Sequence, residues 1–194
     1  DRAIGRLINE LEQLGIRDNT LIVFASDNGA AVQAPLAELK CNGSLRGRKG
    51  QLYEGGIRVP FIVNQPGKVK VQELDNLIYF PDVMPTLANL ARATDKLPQR
   101  INGMNILPLF YGHQVETNNR LLYWEFTGKQ RAARRGDWKV VSVKKDAPLE
   151  LYHISKDMTE STNLAQDHPE IVKEFEQEMN KMRTPSPNWP LPNE

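Results

Sequence analysis

Residues 20–29 read TLIVFASDNG, a continuous apolar run of strand length that ends in Ser, Asp, Asn and Gly. A run of this kind is typical of a central strand in a parallel sheet that is covered on both faces. In open α/β sheets, ligands bind beyond the carboxyl ends of such strands. The stretch therefore predicts an α/β fold with a candidate ligand site at Asp27 and Asn28.

The polar residues after this strand allow two interpretations. Asp27 and Asn28 offer hard oxygen ligands of the kind that Ca²⁺ or Mg²⁺ takes, and Gly29 lets the backbone turn sharply after them. The same residues also form an ordinary Asx turn that binds nothing. On these residues alone, the pattern favours the turn over the metal site.

Length and composition restrict the class of protein. The chain of 194 residues suffices for one sizeable core and a small second one. The net charge of +1 gives no general reason to expect nucleic acid or an anionic membrane as a partner. No apolar stretch approaches the length of a membrane span, and the single cysteine excludes an internal disulfide while leaving the compartment open.

The elements beside the strand indicate how the chain is organised. Apolar residues at helical spacing predict a helix over residues 4–14 that ends at Gly15, and residues 59–63 predict the next strand. Asp82 is predicted to cap a helix that runs to residue 91. A helix before a buried strand is half of a βαβ unit, so we expect the chain to be a piece of something longer or a processed product.

The region after residue 120 has a different pattern. Short alternating runs predict an antiparallel sheet, with Gly136 in a tight turn. A last helix is predicted from Asp167, with Glu170 completing a capping box. Its apolar stripe is predicted to pack on the sheet and comprises Ile171, Phe175, Met179 and Met182. A basic face of the sheet is predicted to be solvated, with contact to an anionic substrate as the less favoured alternative, and comprises Arg131, Arg134, Arg135 and Lys139.

Lys49 is the clearest candidate for contact with an anion. It stands in the glycine-bounded loop LRGRKG, residues 45–50, and its ammonium group suits a sulfate or phosphate oxygen. Beside a metal ion, it would stabilise negative charge that develops on a leaving oxygen. A lone basic cluster nevertheless favours a solvated loop.

Other reactive residues carry weaker signals. Arg58 favours a structural pair with Glu54 rather than a role behind the site, whereas both interpretations stay open for Glu54. Cys41 has no histidine near it in sequence, and the three histidines show no metal-ligand spacing. We therefore interpret the histidines as structural or solvent-facing.

Taken together, these segments resemble the sulfatase family, the arylsulfatase-like branch of the alkaline phosphatase superfamily. The matching runs are NTLIVFASDNG (19–29), GRKGQLYEGGIRVPFIV (47–63), DVMPTL (82–87), ELYHI (150–154) and ESTNL (160–164). Their order and approximate spacing are those of the C-terminal part of a sulfatase, and the second run is the most specific.

The resemblance implies a fold and a location. Residues 1–115 would form the C-terminal part of an alkaline-phosphatase-like α/β/α sheet. Residues 116–194 would form a small subdomain and tail, with an antiparallel sheet against which the C-terminal helix packs. The family resemblance also implies a periplasmic, secreted or lysosomal protein.

The resemblance also implies roles for individual residues. Asp27 and Asn28 match the family's second pair of divalent-metal ligands, usually for Ca²⁺, and Lys49 matches the lysine that contacts the sulfate ester and stabilises the leaving oxygen. The family's nucleophile is a formylglycine made from Cys or Ser. Cys41 lacks the Pro and Arg that follow that nucleophile in the family, so the nucleophile is expected in an N-terminal half outside this chain.

The sequence thus predicts the C-terminal portion of a sulfatase that hydrolyses sulfate esters, with sulfated glycans as one substrate class. The chain alone is predicted to be inactive. Two alternatives stay open. A phosphonate or phosphate ester hydrolase of the same superfamily could use the same metal pair and lysine. A non-catalytic relative could keep the fold as a binding or structural module.

Overall fold

The computed structural model describes residues 1–31, 39–127, 130–144 and 147–188, which form two compact units. The first unit contains residues 1–25 and 60–117, and the second contains residues 26–59 and those from 118 onward. The described α-helices and β-strands, in chain order, are α1 (Arg2–Gln13), β1 (Ile22–Ala25), α2 (Glu54–Ile57), β2 (Phe61–Asn64), α3 (Val83–Leu90), α4 (Leu107–Phe110), β3 (Leu122–Phe126), β4 (Gln130–Arg135), β5 (Trp138–Ser142), β6 (Glu150–His153) and α5 (Pro169–Met182). The division at residues 115 and 116 stays a prediction, because compact units describe packing rather than domains.

The first unit contains the predicted N-terminal helix and strand. Helix α1 ends before Gly15, whose φ of +68° is a left-handed conformation that glycine adopts without strain. Strand β1 pairs with β2, and Leu21, Phe61 and Val63 pack against the buried cluster of α4. The predicted helix and strand are therefore present.

The direction of the neighbouring strand differs from the prediction. Strand β1 pairs antiparallel with β2, so that Val23 lies opposite Val63. Covered faces were also predicted, but Val23 and Phe24 are exposed over 37% and 45% of their surfaces. The prediction of a parallel sheet around β1 is therefore wrong for the described residues. An apolar run indicates a strand but does not specify the direction of the adjacent strand.

Asp82 has a different task from the predicted helix cap. Asp82 lies at the predicted N-cap position of α3, but its side chain makes no capping bond to the helix. One carboxylate oxygen accepts a hydrogen bond from the backbone N–H of Tyr79 at 3.0 Å, and the other accepts one from Met104 at 2.9 Å. The fully buried carboxylate thus fastens two loop segments, which is how a buried acidic group remains satisfied.

The second unit confirms the predicted antiparallel sheet. Its described strands follow the order β3-β4-β5-β6, and Gly136 turns the chain between β4 and β5 with a φ of +56°. Phe175 and Met179 of α5 are buried against Ala133, Val140 and Leu151 of the sheet. This packing supports the predicted apolar stripe, although Met182 at its end is exposed.

The predicted start of the last helix is wrong by two residues. Helix α5 begins at Pro169 with His168 as its N-cap, and no side chain caps it. Proline at the first helical position has a suitable φ and lacks an N–H that would need a partner. The capping box predicted for Asp167 and Glu170 is therefore absent among the described contacts.

The loop before α2 belongs to the core of the second unit. Leu52 and Tyr53 are buried together with Ala132, Val141 and Tyr152 of the sheet. This burial fixes the segment that carries Lys49 and Glu54 onto one face of the sheet. Within the described residues, none of the helices is both long and apolar enough to cross a membrane.

Candidate functional site

The Asp27 turn contains two consecutive residues whose side-chain oxygens are candidate metal ligands. The Ser26 hydroxyl donates a hydrogen bond to the backbone carbonyl of Asn28 at 2.8 Å, and the side-chain Nδ2 of Asn28 donates one to Gly29 O at 3.2 Å. Among the described residues, none pairs with the exposed carboxylate of Asp27. The Asp27 carboxylate and the Asn28 amide oxygen therefore fit a hard divalent cation.

These donors are only part of a metal shell. Ca²⁺ takes six to eight oxygen ligands. Within the part of the chain that the structure describes, no group of three or more His, Cys, Asp and Glu side chains is placed to hold a metal ion. A metal site at this turn would therefore need further ligands from other residues.

Two backbone hydrogen bonds link the turn to the segment that contains Lys49 and α2. Gly29 N–H donates to Gly56 O at 3.0 Å, and Lys49 N–H donates to Ala30 O at 2.9 Å. The Asn42 side chain strengthens this link, because it accepts from Ala30 N–H at 2.9 Å and donates to Gly47 O at 3.0 Å. The segments that carry the candidate metal ligands and Lys49 are therefore held together by hydrogen bonds.

Three glycines permit this close approach. A Cβ on Gly29 would lie 1.8 Å from Gly55 O, and a Cβ on Gly56 would lie 1.9 Å from Gln51 O. A Cβ on Gly55 would lie 2.5 Å from both Arg46 O and Gly47 O. Backbone atoms cannot rotate away as a side chain can. The turn, the loop and α2 can therefore approach this closely only because these three residues have no Cβ.

Lys49 is exposed, and no described residue forms an ion pair with it. Its backbone is anchored through Ala30, while the ammonium group remains available for an anionic ligand. The predicted solvated loop and the predicted anion contact are both compatible with this position.

A buried ionic network lies behind the glycine contacts. The carboxylate of Glu54 is 2.8 Å from Lys139 Nζ, 2.7 Å from Arg58 Nε and 3.6 Å from Arg134 Nη1. Lys139 Nζ is also 2.8 Å from Glu160 Oε1, and the other Glu160 oxygen accepts the backbone N–H of Glu54 at 2.6 Å. Glu54 thus connects α2 to the small sheet, and Arg58 forms the structural pair that its sequence position indicates.

The charges of this network change the pKa values of both carboxyl groups. Burial acts to raise the pKa of Glu54, but the positive charges of Lys139 and Arg58 outweigh it, so that the pKa lies below its usual value. Burial raises the pKa of Glu160, although Lys139 acts in the opposite direction. Lys139 is therefore the cation on which both acidic groups depend.

Lys139 and Glu160 were not predicted as members of the site region. Lys139 is fully buried, so its assignment to a solvated basic face is wrong. Arg135 also differs, since it bonds Glu174 and Glu178 of α5. The burial of Lys139 is consistent with its position in a strand that has neighbours on both sides, where a charged residue needs a buried partner.

A second cluster holds both ends of the loop that carries Lys49. The Arg46 guanidinium lies 3.9 Å from the centre of the Tyr53 ring and donates hydrogen bonds of 2.8 Å to Tyr152 Oη and to Glu160 O. The hydroxyls of Tyr53 and Tyr152 both donate to Glu150 Oε2, at 2.6 Å and 2.7 Å. Strand β6 thus receives side chains from both ends of this loop.

Cys41, His153 and His168 make no described side-chain contact with Asp27, Asn28 or Lys49. Cys41 is an exposed free thiol. His153 and His168 lie against the Trp138 ring, with ring centres 4.7 Å and 5.2 Å apart, as expected for structural residues.

Two family models match the chain and overlap in the Lys49 region. Residues 1–93 match the model described as Sulfatase, and residues 48–185 match the model described as N-sulphoglucosamine sulphohydrolase, C-terminal. The chain therefore belongs to the sulfatase family and corresponds to its C-terminal portion, as the sequence predicts.

Individual relatives agree with this assignment. The chain is 30% identical over 205 residues to an N-acetylgalactosamine-6-O-sulfatase of Bacteroides thetaiotaomicron, with 95% of this chain and 40% of that protein covered. It is 38% identical over 128 residues to the steryl-sulfatase of Rattus norvegicus, with 63% of this chain and 22% of that protein covered.

A solved structure supports the fold. The complex of Ps i-CgsB with k-i-k-neocarrahexaose superposes with a TM-score of 0.78 at 29% identity, covering 93% of this chain and 40% of that one. The chain thus spans about 40% or less of the length of these relatives.

Proposed function

We propose that the chain supplies part of the active site of an enzyme that hydrolyses sulfate esters, with sulfated glycans as the substrate class. The observation that carries the proposal is the pair of backbone hydrogen bonds that hold the Asp27 turn beside the Lys49 segment. The substrate class is supported by the names of relatives, which include an N-acetylgalactosamine-6-O-sulfatase and a structure with a bound neocarrahexaose.

The side chains of the turn and the loop have complementary tasks in this proposal. Asp27 and Asn28 would hold a divalent cation, with Ca²⁺ as the candidate, and the cation would supply positive charge for the oxygens of the ester. Lys49 would bind a sulfate oxygen and stabilise the charge that develops on the leaving oxygen. A formylglycine contributed by residues outside this chain would supply the nucleophile.

The chain by itself should show neither activity nor tight metal binding. Two oxygen donors cannot provide the six to eight ligands that Ca²⁺ takes, and the proposed nucleophile is not among these residues. Calcium titration by calorimetry and an assay with an aryl sulfate provide the measurements. Stoichiometric tight binding of Ca²⁺, or hydrolysis in a preparation free of other sulfatases, would contradict the proposal.

Replacing Lys49 by alanine in the complete protein that contains this chain tests the proposed role of the ammonium group. We expect kcat/KM for an aryl sulfate to fall about a hundredfold, the scale for removing one donor to a developing oxyanion. Lys49→Arg should retain part of the activity because it keeps the positive charge.

The neighbouring exposed residue Arg48 provides the matched control, and Arg48→Ala should leave kcat/KM within about twofold. An aryl phosphate with the same leaving group distinguishes the reaction classes. Preferential cleavage of the phosphate would favour the phosphate ester hydrolase, and full activity of Lys49→Ala would refute the role of Lys49.

A further inference from the structure

We propose that Glu150 is a positioning residue for Lys49, acting through Tyr53 and Tyr152 on the segment Arg46–Tyr53, called here the Lys49 loop. The inference rests on the proposed function, because it assumes that the Lys49 ammonium binds the ester. It adds a residue of the small sheet that contributes to activity without contacting the substrate.

Both ends of the Lys49 loop are attached to strand β6. At the end of the loop, the Tyr53 hydroxyl donates to Glu150 Oε2 at 2.6 Å. At its start, Arg46 donates to the Tyr152 hydroxyl at 2.8 Å and lies 3.8 Å from the same Glu150 oxygen. One carboxylate oxygen is therefore the common acceptor toward which both ends converge.

The ends of the loop are also attached to each other. The Arg46 guanidinium stacks 3.9 Å from the centre of the Tyr53 ring, a favourable cation–π distance. The residues between these ends include Lys49, whose backbone has a separate bond to Ala30. Fixing both ends of so short a loop restricts the region that the Lys49 backbone can occupy.

Burial makes Glu150 difficult to replace as the acceptor. Tyr53 and Tyr152 are buried, so each hydroxyl needs a partner inside the protein. Burial and the hydrogen bond to Glu150 raise the pKa of both tyrosines, and the hydroxyls therefore remain protonated donors at neutral pH. Bonds from such donors to a carboxylate are short and strong.

Loss of the Glu150 carboxylate would leave two buried hydroxyls without their acceptor. The Lys49 loop would then have its start and its end free to shift relative to β6. A displacement of about 1 Å at a distance from the chemistry can reduce a rate about a hundredfold. Glu150 would thus influence the reaction only through the position of Lys49.

The experiment is a double-mutant cycle in the complete protein, with an aryl sulfate as the substrate. Glu150→Ala should lower kcat/KM by between about tenfold and a hundredfold. Glu150→Gln should lower kcat/KM by less, since the amide oxygen of glutamine still accepts hydrogen bonds. In the Lys49→Ala background, Glu150→Ala should cause no further loss, because its effect passes through Lys49.

Glu178→Ala is the matched control, since it removes a carboxylate that pairs with Arg135 in the same unit, away from the loop. Its kcat/KM should remain within about twofold of the parent value. If Glu150→Ala fails to fold, Tyr53→Phe removes one hydroxyl bond while retaining the buried ring, and the same cycle applies.

The outcomes separate this inference from the proposed function. If Lys49→Ala has full activity, the proposed role of Lys49 fails, and the positioning role of Glu150 fails with it. If Lys49→Ala is impaired but Glu150→Ala lowers activity equally in both backgrounds, the proposed function stands and the positioning role is refuted. Unchanged activity of both Glu150→Ala and Tyr53→Phe would also overturn the positioning role.

Discussion

Replacing Lys139 by methionine is expected to lower the free energy of unfolding by about 3–5 kcal/mol, the scale for removing one partner from a buried ion pair. Lys139 is fully buried and is the shared cation of Glu54 and Glu160, each 2.8 Å away. Methionine fills similar space but leaves Glu160 without its cation. Urea unfolding followed by the fluorescence of Trp124 and Trp138, which lie in the same unit, provides the measurement.

Two comparisons identify charge as the cause of this loss. Lys144→Met changes an exposed lysine just after β5, so its effect should stay within about 0.5 kcal/mol. Lys139→Met with Glu160→Gln should regain part of the stability, because the second change removes an unpaired charge. A single variant as stable as the parent, or strictly additive losses in the double variant, would show that the network is not coupled.

The pH dependence of stability provides an independent check. The folded-state pKa of Glu54 lies below its usual value, so its contribution is complete at neutral pH and is lost as the pH falls through the folded-state value. In Lys139→Met the carboxylates lose their main cation, and protonation then relieves the unpaired charge. The stability difference between the parent and Lys139→Met should therefore narrow as the pH falls from 7 toward about 4.

Local patterns predicted those elements that depend on neighbouring residues in the chain. The alternation after residue 120 predicted the antiparallel sheet, and Gly136 predicted its tight turn. Strand direction was not predictable in this way, because β1 and β2 are joined through a long segment and their apolar residues fit either direction. His168 replaced the predicted cap of α5 because Pro169 specifies where the helix begins.

The site region shows the same division between local and distant information. Asp27, Asn28 and Lys49 were found because their motifs are short and chemically distinctive. The network around Glu54 was missed because Lys139 is 85 residues away in the sequence. A lysine among alternating residues resembles a surface position until the adjacent strands and Glu160 are known.

The second large effect is expected for Gly29→Ala, which should destabilise the protein by about 3 kcal/mol or more and weaken the proposed binding of Ca²⁺. The new Cβ would lie 1.8 Å from Gly55 O and 2.8 Å from the Gly55 carbonyl carbon. To relieve this overlap, the turn must separate from α2, and the bond from Gly29 N–H to Gly56 O would be lost. Asp27 and Asn28 would then move together with the turn.

The measurements are urea unfolding and the increase in melting temperature on adding calcium, both made with the complete protein. Gly5→Ala is the matched control, because its Cβ would meet no atom within 4 Å and alanine favours the interior of α1. That change should stabilise the protein by up to about 1 kcal/mol. If Gly29→Ala retained the parent's stability and calcium response, the glycine contact would not hold the turn in place. Loss of the calcium response without loss of stability would instead indicate that the contact serves mainly to position Asp27 and Asn28.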